Sequence, residues 1–342
     1  MIRYRLRGVT PSDEGDLNAL AAHLNTVNLP NDRTVVREII DLSMRSFARE
    51  IEDPKQREYT FVIEDLVENR VVGSSKIIAQ LGRRDAPYVY LDVITEEKYS
   101  ATIDRHFVHT VLSIGFSYDG PTEIGGLIVH PEARKVPEKI GLMISYVRFL
   151  FMALHRGLFR NDVVAELLPP LESDGTSHLW EALGRHFMPM TYLEADLLSK
   201  RNKEFIKALF PTGDVYASLL PKAAQDVIGK VGRETRGVEK MLRRIGFQYC
   251  NRIDPFDGGP HFRAAIDEIL LVRRTRATVV SRIVDAMDAP KALVAVERKE
   301  APYFECVGVP TTLDEQGLTV NRETAALLGL EVGSAVAVLT LD

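Results

Sequence analysis

A carboxylate interrupts an apolar segment near the middle of the chain, where Glu166 lies within VVAELL. In a partly buried cleft such a carboxylate attracts an amine or guanidinium cation, because opposite charges interact strongly there. A carboxylate can also act as a base in proton transfer. The alternative is a strand-end residue that faces solvent. We therefore treat Glu166 as a candidate catalytic residue.

The segment GGLIVHPEARKVPEKIG, residues 125–141, combines an apolar strand, a charged turn and the start of an apolar helix. The N-terminus of such a helix can bind phosphate, because its free N–H groups and its dipole favour negative charge. Glycines usually line a turn of this kind. Here Pro137 has no N–H and only Gly141 remains, so the backbone stays farther from a phosphate. His130 ends the strand and is a second catalytic candidate, with a capping histidine as the alternative.

Composition indicates a globular protein of about two domains, because its 342 residues exceed the roughly 150 of one domain. The net charge of −5 argues against a general nucleic-acid binder, whose domains are usually basic. Cys250 and Cys306 lie far apart without metal-type spacing, which excludes a disulfide scaffold and fits a reducing cytoplasm. We predict no metal site.

Two features of the sequence bear on membrane association. The N-terminus MIRYRLRGVT is charged and alternating, which is not the pattern of a signal peptide. The longest apolar run, residues 142–154, contains Ser145 and Arg148 and is too short to span a bilayer. We therefore expect a cytoplasmic protein that does not bind membranes.

The elements that position these residues are read from hydrophobic periodicity. Residues 2–7 alternate like a strand, Ser12 and Asp13 offer N-caps to a first helix, and a second helix is predicted over residues 33–52. YTFVIED and VVGSSKIIAQ predict a hairpin, and a variable region follows it. EIGGLIVHP and DVVAELLPP are further strands with an apolar helix between them, and a helical insertion is expected at about residues 195–240.

The C-terminal segment has a pattern of its own. KALVAVE, FECVGV, LTVN, the helical ETAALLGL and SAVAVLTL predict a small β-barrel over residues 291–342, appended to a main body of residues 1–290. The segment contains four basic and eight acidic residues. This balance opposes binding to a phosphate backbone, so we interpret the barrel as structural.

The strand pair, the strand–turn–helix and the further strand together resemble the GNAT acyltransferase fold. Several blocks resemble those of one family with that fold, the arginine N-succinyltransferases. They are NLPND (28–32), YTFVIED (59–65), RFLFMA (148–153), DVVAEL (162–167), AAQDVIG (223–229) and IDPFDGGP (253–260). The likeness covers nearly the whole chain, and FDGGP and AQDVIG are specific to the family. It implies an α+β fold of GNAT type with a helical insertion and a small C-terminal β-barrel.

The resemblance implies an acyl-CoA-dependent N-acyltransferase that transfers succinyl from succinyl-CoA to the α-amino group of arginine or ornithine. Succinyl-CoA, or another acyl-CoA, would be a co-substrate, and no permanently bound cofactor is expected. Some members pair two related subunits, so we expect a homo-oligomer or a hetero-oligomer with a related subunit. The alternatives are a non-catalytic subunit that assembles with a competent partner, and an acyltransferase with a different donor or amine.

The resemblance also implies where the substrates bind. The backbone at Leu127, Ile128 and Val129 would contact the pantetheine arm, and an N–H near Val129 would polarise the thioester carbonyl. The phosphate turn would be lined by Arg134, Lys135 and Gly141. The candidates for acceptor binding are Asn28, Asp32 and Asp257. Asn and Asp also favour turns, so a structural role is the alternative for these three.

The chain departs from the family at the proposed proton donor. Three residues after AQDVIG the family has a histidine, whereas this chain has Gly232. Glycine has no side chain to exchange a proton, although acyl transfer to an amine needs both a base and an acid. The tyrosine that other GNAT enzymes use is replaced by Trp180 or Leu242 at the equivalent spacings. The remaining candidates are Glu166, His130, Tyr192 and water.

Overall fold

The computed structural model describes residues 1–24 and 29–341, which form two compact units. The first unit comprises Met1–Ala79, Glu123–Asn161 and Ile266–Asp342, and the second comprises Gln80–Thr122 and Asp162–Ala265. This division groups the C-terminal segment with the N-terminal strand. The domain boundary at residue 290 stays a prediction from the sequence.

The elements are named here in chain order. The strands are β1 (Tyr4–Gly8), β2 (Glu58–Asp65), β3 (Arg70–Ile78), β4 (Tyr88–Ser100), β5 (Arg105–Ser117), β6 (Thr122–Val129), β7 (Asp162–Glu166), β8 (Val215–Tyr216), β9 (Gln248–Ile253), β10 (Pro260–Ala265), β11 (Arg276–Val284), β12 (Lys291–Glu297), β13 (Phe304–Pro310), β14 (Thr312–Asp314), β15 (Gly317–Asn321) and β16 (Ala335–Thr340). The helices are α1 (Glu14–Leu24), α2 (Arg33–Phe47), α3 (Ile140–Leu154), α4 (His178–Ala182), α5 (Tyr192–Arg201), α6 (Glu204–Leu209), α7 (Lys222–Val227), α8 (Arg236–Arg244), α9 (Leu270–Arg274) and α10 (Arg322–Leu328).

In the first unit the strand order is β14–β15–β11–β16–β12–β13–β1–β2–β3–β6. The strand pairs are antiparallel except for β11 with β15. The N-terminal strand β1 connects the two halves of this sheet, because Leu6 is opposite Ile63 of β2 on one side and Cys306 of β13 on the other. The predicted hairpin is confirmed as β2 and β3, which pair along their whole length.

Helix α3 forms the core of the first unit. Eleven of its fifteen residues are buried, which agrees with the expectation that a helix apolar on most sides is buried. Its Phe151 ring lies 5.4 Å from the ring of Phe47, 5.0 Å from that of Tyr59 and 5.5 Å from that of Phe304. Edge-to-face aromatic packing of this kind stabilises beyond simple area burial.

In the second unit the strand order is β7–β10–β9–β4–β5–β8. The core contains Trp180, which is fully buried and donates its indole N–H to the Met190 carbonyl oxygen at 2.8 Å. Helices α5 to α8 occupy most of the predicted helical insertion, together with the two-residue strand β8.

The structure differs from the sequence expectations in three places. Helix α2 ends at Phe47 rather than at residue 52, because Arg49 adopts a left-handed conformation with φ of 64°. The variable region is a long hairpin, β4 with β5. Strand β11 lies before residue 291 and pairs with β15 and β16 of the C-terminal segment. Within residues 1–24 and 29–341 no helix has both the length and the apolar character needed to cross a membrane.

Close packing around β1 leads to a stability prediction. A Cβ atom at Gly8 would lie 2.3 Å from the Pro302 carbonyl oxygen, whereas a Cβ at Gly15 in α1 meets nothing within 4 Å. We expect Gly8→Ala to destabilise the protein by about 1–3 kcal/mol. Gly15→Ala is the matched control and should stabilise it by roughly 0.5–1 kcal/mol, because alanine favours helix.

Thermal unfolding followed by circular dichroism measures both effects. Gly8→Ala should lower the melting temperature and Gly15→Ala should not. Equal melting temperatures for the two variants would contradict the close approach of β1 to the Pro302 turn.

Candidate functional site

Glu166 is brought together with His261 by strand pairing in the second unit. Strands β7 and β10 are antiparallel, and Glu166 is directly opposite His261. Directly opposed residues point to the same face of a sheet. The Glu166 Oε1 and His261 Nε2 atoms are therefore 3.5 Å apart. The Glu166 side chain is about one third exposed, at 34%, whereas that of His261 is fully buried.

Asp254 adds a second carboxylate to this pair. It follows β9, and one carboxylate oxygen of Asp254 lies within 4.8 Å of the facing atoms of both Glu166 and His261. The Oδ1 atom of Asp254 accepts backbone N–H groups from Phe256 at 2.7 Å and Asp257 at 3.2 Å. Burial raises the pKa of Asp254 despite these hydrogen bonds. We call Glu166, Asp254 and His261 the acidic cluster.

Tyr88 on β4 holds the other nitrogen of His261. Its hydroxyl lies 2.8 Å from His261 Nδ1, and burial raises the pKa of Tyr88, which keeps the phenol protonated. Burial, and then the positive charges of Lys203 and Arg252, lower the pKa of His261 to about 3. The imidazole is consequently neutral near pH 7.

The acidic cluster can bind a cation. The two carboxylates offer acceptor atoms to an ammonium or guanidinium group, whose N–H groups donate only. The same residue types also bind divalent metals. Which use applies depends on whether His261 Nε2 carries a hydrogen or a lone pair.

Asp257, predicted to bind substrate, lies in the turn that precedes β10. It is buried, and its Oδ1 accepts the Gly259 N–H at 2.7 Å while its Oδ2 accepts the Tyr192 hydroxyl at 3.0 Å. Both oxygens thus have internal donors. Burial, and then the neighbouring Asp254 carboxylate, hold the pKa of Asp257 well above its usual range.

Gly232, at the position of the family histidine, has no space for a side chain. Its N–H donates to the Leu168 carbonyl oxygen at 2.8 Å. A Cβ atom there would lie 2.5 Å from the Pro169 carbonyl oxygen and 3.0 Å from that of Leu168. The segment that follows β7 therefore occupies the volume that a side chain would need.

The predicted donor-binding strand is β6 in the first unit. It pairs with β3, and the register shifts between Ser74 and Lys76, where Gly126 has φ of 57°. Leu127 and Val129 are half-buried and Ile128 is buried. The strand thus has a bulge where the resemblance implies the pantetheine arm.

A buried arginine supports this bulge from α3. Arg148 donates to the Gly125 carbonyl oxygen at 3.2 Å and to the Ser145 carbonyl and hydroxyl oxygens at 3.1 and 2.8 Å. Burial lowers the pKa of Arg148 to about 9. The guanidinium therefore ties β6 to the helix that follows it.

The predicted phosphate turn ends in an unusual N-cap. Lys139 caps α3 in a left-handed conformation with φ of 54°, and its side chain makes no capping hydrogen bond. Arg134 donates to the Val129 carbonyl oxygen at 3.0 Å, Lys135 is exposed, and a Cβ at Gly141 would meet nothing closer than 4.0 Å.

The remaining predicted residues lie at element ends. His130 begins a short 3-10 turn in the first unit, with its Nδ1 atom 3.7 Å from Glu132. Asp32 is exposed and caps α2 by accepting the N–H groups of Thr34 and Val35. Asn28 lies outside the described residues.

Sequence reasoning found Glu166 but missed its neighbours Asp254, His261 and Tyr88. Asp254 stands within IDPFDGGP, one of the blocks that carried the resemblance. His261 follows that block directly, and only the pairing of β10 with β7 places it beside a carboxylate. No local signal distinguishes Tyr88 from a core tyrosine.

Comparison with known proteins gives consistent likenesses. The family model described as arginine N-succinyltransferase beta subunit matches residues 4–271. The arginine N-succinyltransferase of Yersinia pestis (strain Pestoides F) is 30% identical over 345 residues, covering 98% of this chain and 97% of that protein. That of Escherichia coli O6:K15:H31 (strain 536 / UPEC) is 32% identical, with the same coverage. The solved structure of arginine/ornithine succinyltransferase subunit AI from Pseudomonas aeruginosa has a TM-score of 0.86 and 27% identity, with 100% of each chain covered. The predicted α+β fold is confirmed.

The packing at Gly232 predicts that the family histidine cannot simply be restored. We expect Gly232→His to lower the free energy of unfolding by about 1–3 kcal/mol through overpacking, without any gain of activity. Gly237→His is the matched control, because Gly237 in α8 is exposed and a Cβ there meets nothing within 4 Å. Melting temperatures and acyl-transfer rates of both variants are the measurement. A stable and faster Gly232→His variant would contradict this account.

The buried Asp257 predicts a pH-dependent stability. Its pKa is raised on folding, so its contribution is present below the unfolded pKa of about 4 and is lost as pH rises through the folded pKa. The amide in Asp257→Asn does not ionise, so the variant does not lose this stability as pH rises. The melting temperature of the variant, relative to the unaltered protein, should therefore increase from about pH 4 to about pH 8.

Asp226→Asn is the control, because Asp226 is exposed and its pair with Lys222 contributes little to stability. A relative melting temperature of Asp257→Asn that falls as pH rises would mean that the folded protein stabilises the ionised carboxylate.

Proposed function

Because the chain belongs to the arginine N-succinyltransferase family, we propose that it transfers the succinyl group of succinyl-CoA to the α-amino group of arginine or ornithine. The family consists of acyltransferases, and the family model matches residues 4–271. The observation that carries the proposal for the acceptor is the acidic cluster. It places two carboxylates and a neutral imidazole at the end of β7.

The acceptor side of the reaction is proposed at the acidic cluster. Arginine and ornithine are cations with N–H donors, and Glu166 and Asp254 offer them charge and acceptor atoms. Glu166 is partly exposed, at 34% of its side chain, so a ligand can reach it. Asp32, Asp257 and Asn28 stay proposals for acceptor binding that rest on the resemblance.

The donor side is proposed along β6 and the N-terminus of α3. The backbone of residues 127–129 would pair with the pantetheine arm. Arg134, Lys135 and Gly141 would surround the pyrophosphate at the positive end of the helix dipole. The bulge at Gly126 and the free space beside Gly141 are compatible with this use.

The proposed chemistry is direct attack of the amine on the thioester. The ammonium first loses a proton to Glu166, directly or through water. The neutral amine then forms a C–N bond at the thioester carbonyl carbon, and the C–S bond breaks. A backbone N–H near Val129 would stabilise the oxyanion. The departing thiolate takes up a proton from water or from His130, which is the second proposed catalytic residue.

A second candidate function is that of a non-catalytic subunit. Gly232 replaces the family histidine, and Lys139 with Pro137 replaces a glycine-rich turn. The structural likeness is to a protein described as a subunit. On this reading the chain assembles with a related, competent chain and binds coenzyme A weakly when alone.

Thiol release from succinyl-CoA tests the first proposal. The purified chain is supplied with arginine or ornithine, and the free thiol of coenzyme A is detected with a chromogenic reagent. Nα-acetylarginine is the matched control, because its α-amino group is blocked, and acetyl-CoA tests the donor. Release that requires arginine and succinyl-CoA supports the proposal. Absence of release together with absence of coenzyme A binding supports the non-catalytic subunit.

The role of Glu166 predicts a large effect from a small change. We expect Glu166→Gln to lower kcat/KM for arginine roughly 100-fold to 10,000-fold, because the amide removes both the charge and the proton acceptor. Glu172→Gln is the matched control, since Glu172 is exposed beyond the same strand and forms an ion pair with His178 at 2.7 Å. Steady-state kinetics on both variants gives the result. Similar values for the two variants would exclude Glu166 from the reaction.

A further inference from the structure

His261 is buried within a strand and has a polar side chain facing each ring nitrogen. Its strand β10 lies between β7 and β9. The Cys250 thiol contacts the His261 carbonyl oxygen at 3.2 Å, and the imidazole is wholly buried. Tyr88 contacts one ring nitrogen and Glu166 faces the other. A buried ring with two fixed partners has one preferred tautomer.

The carboxylate of Glu166 determines that tautomer. An ionised carboxylate only accepts hydrogen bonds, and Glu166 Oε1 faces His261 Nε2 at 3.5 Å. The Tyr88 hydroxyl lies 2.8 Å from Nδ1 and can donate to a lone pair there. The single hydrogen of a neutral imidazole is therefore on Nε2, and Nδ1 accepts.

We propose that Tyr88 and His261 form a directed hydrogen-bond relay that presents an Nε2–H group to Glu166, which makes His261 a positioning residue for that carboxylate. In this proposal the identity of the acceptor rests on the proposed function. The direction of the relay is independent of that function. Nε2 makes no hydrogen bond with the described residues, and Glu166 Oε1, at 3.5 Å, is the acceptor that the proposal assigns to it.

The relay offsets the repulsion between two carboxylates. Asp254 lies within 4.8 Å of the cluster atoms, and two carboxylates so close together would share a proton if nothing stabilised both charges. A neutral N–H donor stabilises the ionised form of Glu166 without adding a positive charge. The cluster then keeps its negative charge for a cationic acceptor. Lys203 and Arg252 are positive groups near it, and Asp257 is a neighbouring carboxyl group. Arg252 is already paired with Asp92 at 2.9 Å.

The relay also disfavours use of His261 as a metal ligand. A metal binds the lone pair of a ring nitrogen, and the relay leaves that lone pair on Nδ1, facing Tyr88. The cluster is therefore assigned to an organic cation rather than to a divalent metal.

The direct test is the tautomer of His261 in the intact chain. Long-range ¹H–¹⁵N spectra of ¹⁵N-histidine-labelled protein distinguish the two ring nitrogens. Spectra of His261→Gln identify the His261 signals among those of the eight histidines. We expect the Nε2–H tautomer, unchanged between about pH 6 and pH 8 because the ring is buried and neutral. An Nδ1–H tautomer, or an imidazolium in this range, would overturn the proposal.

Kinetics on three variants tests the positioning role. His261→Gln keeps a donor towards Glu166 and an acceptor towards Tyr88, so it should stay within about threefold of the unaltered enzyme. His261→Leu removes both and should raise KM for arginine at least about tenfold, with a smaller change in KM for succinyl-CoA. Tyr88→Phe removes the hydroxyl group that donates to Nδ1, so the tautomer is no longer fixed. Its KM for arginine should lie between those of the Gln and Leu variants. Equal increases in the KM for arginine in the Gln and Leu variants, at equal melting temperatures, would contradict the relay.

Zinc binding separates the relay from a metal site. Isothermal titration of the intact chain with Zn²⁺ should show no binding that is lost in His261→Leu. Stoichiometric binding that requires His261 would mean that Nε2 carries a lone pair, which overturns the proposal. Because the spectra and the titration need no catalysis, a failure of the proposed acyl transfer is distinguishable from a failure of the relay.

Discussion

The antiparallel pairing of β10 with β7 is the interaction on which the candidate site depends. It places His261 opposite Glu166. The turn that leads into β10 carries Asp254 and Asp257, so the register of one strand pair positions three carboxylates and an imidazole. A shift of this register by one residue would move His261 to the opposite face of the sheet. The acidic cluster therefore exists only as long as the ladder keeps its register.

The same region also explains why position 232 has no space for a side chain. The backbone of Leu168 and Pro169 packs against Gly232 and fills the volume that a side chain at that position would occupy. These two residues directly follow the strand that carries Glu166. Gly232 therefore contacts the segment that follows β7, and His261 pairs with Glu166 at the end of the same strand.

In the first unit a buried arginine connects strand β6 to helix α3. Arg148 is a buried cation held by carbonyl and hydroxyl oxygens of Gly125 and Ser145, and a buried charge of this kind is costly unless all its donors are satisfied. Its hydrogen bond to Gly125 lies beside the bulge at Gly126, so the conformation of β6 is coupled to the packing of α3. The conformation of the strand proposed to bind the donor therefore depends on a hydrogen bond from the buried helix α3.

The sequence by itself determined the local elements and the family. Alternation and glycine positions predicted β2, β3, β6, β7 and most of the C-terminal strands, because a half-buried strand needs a period of two wherever it pairs. The motifs around Asp257 and before Gly232 indicated the acyltransferase family, and the carboxylate within VVAELL indicated Glu166 as one of the candidate residues. Only the tertiary structure determined which residues and strands contact one another. Tyr88 and His261 meet through strands that are far apart in the chain. Strand β1, near the N-terminus, pairs with β13, near the C-terminus. Such pairings depend on long-range register and on burial against neighbouring strands, which no local pattern encodes.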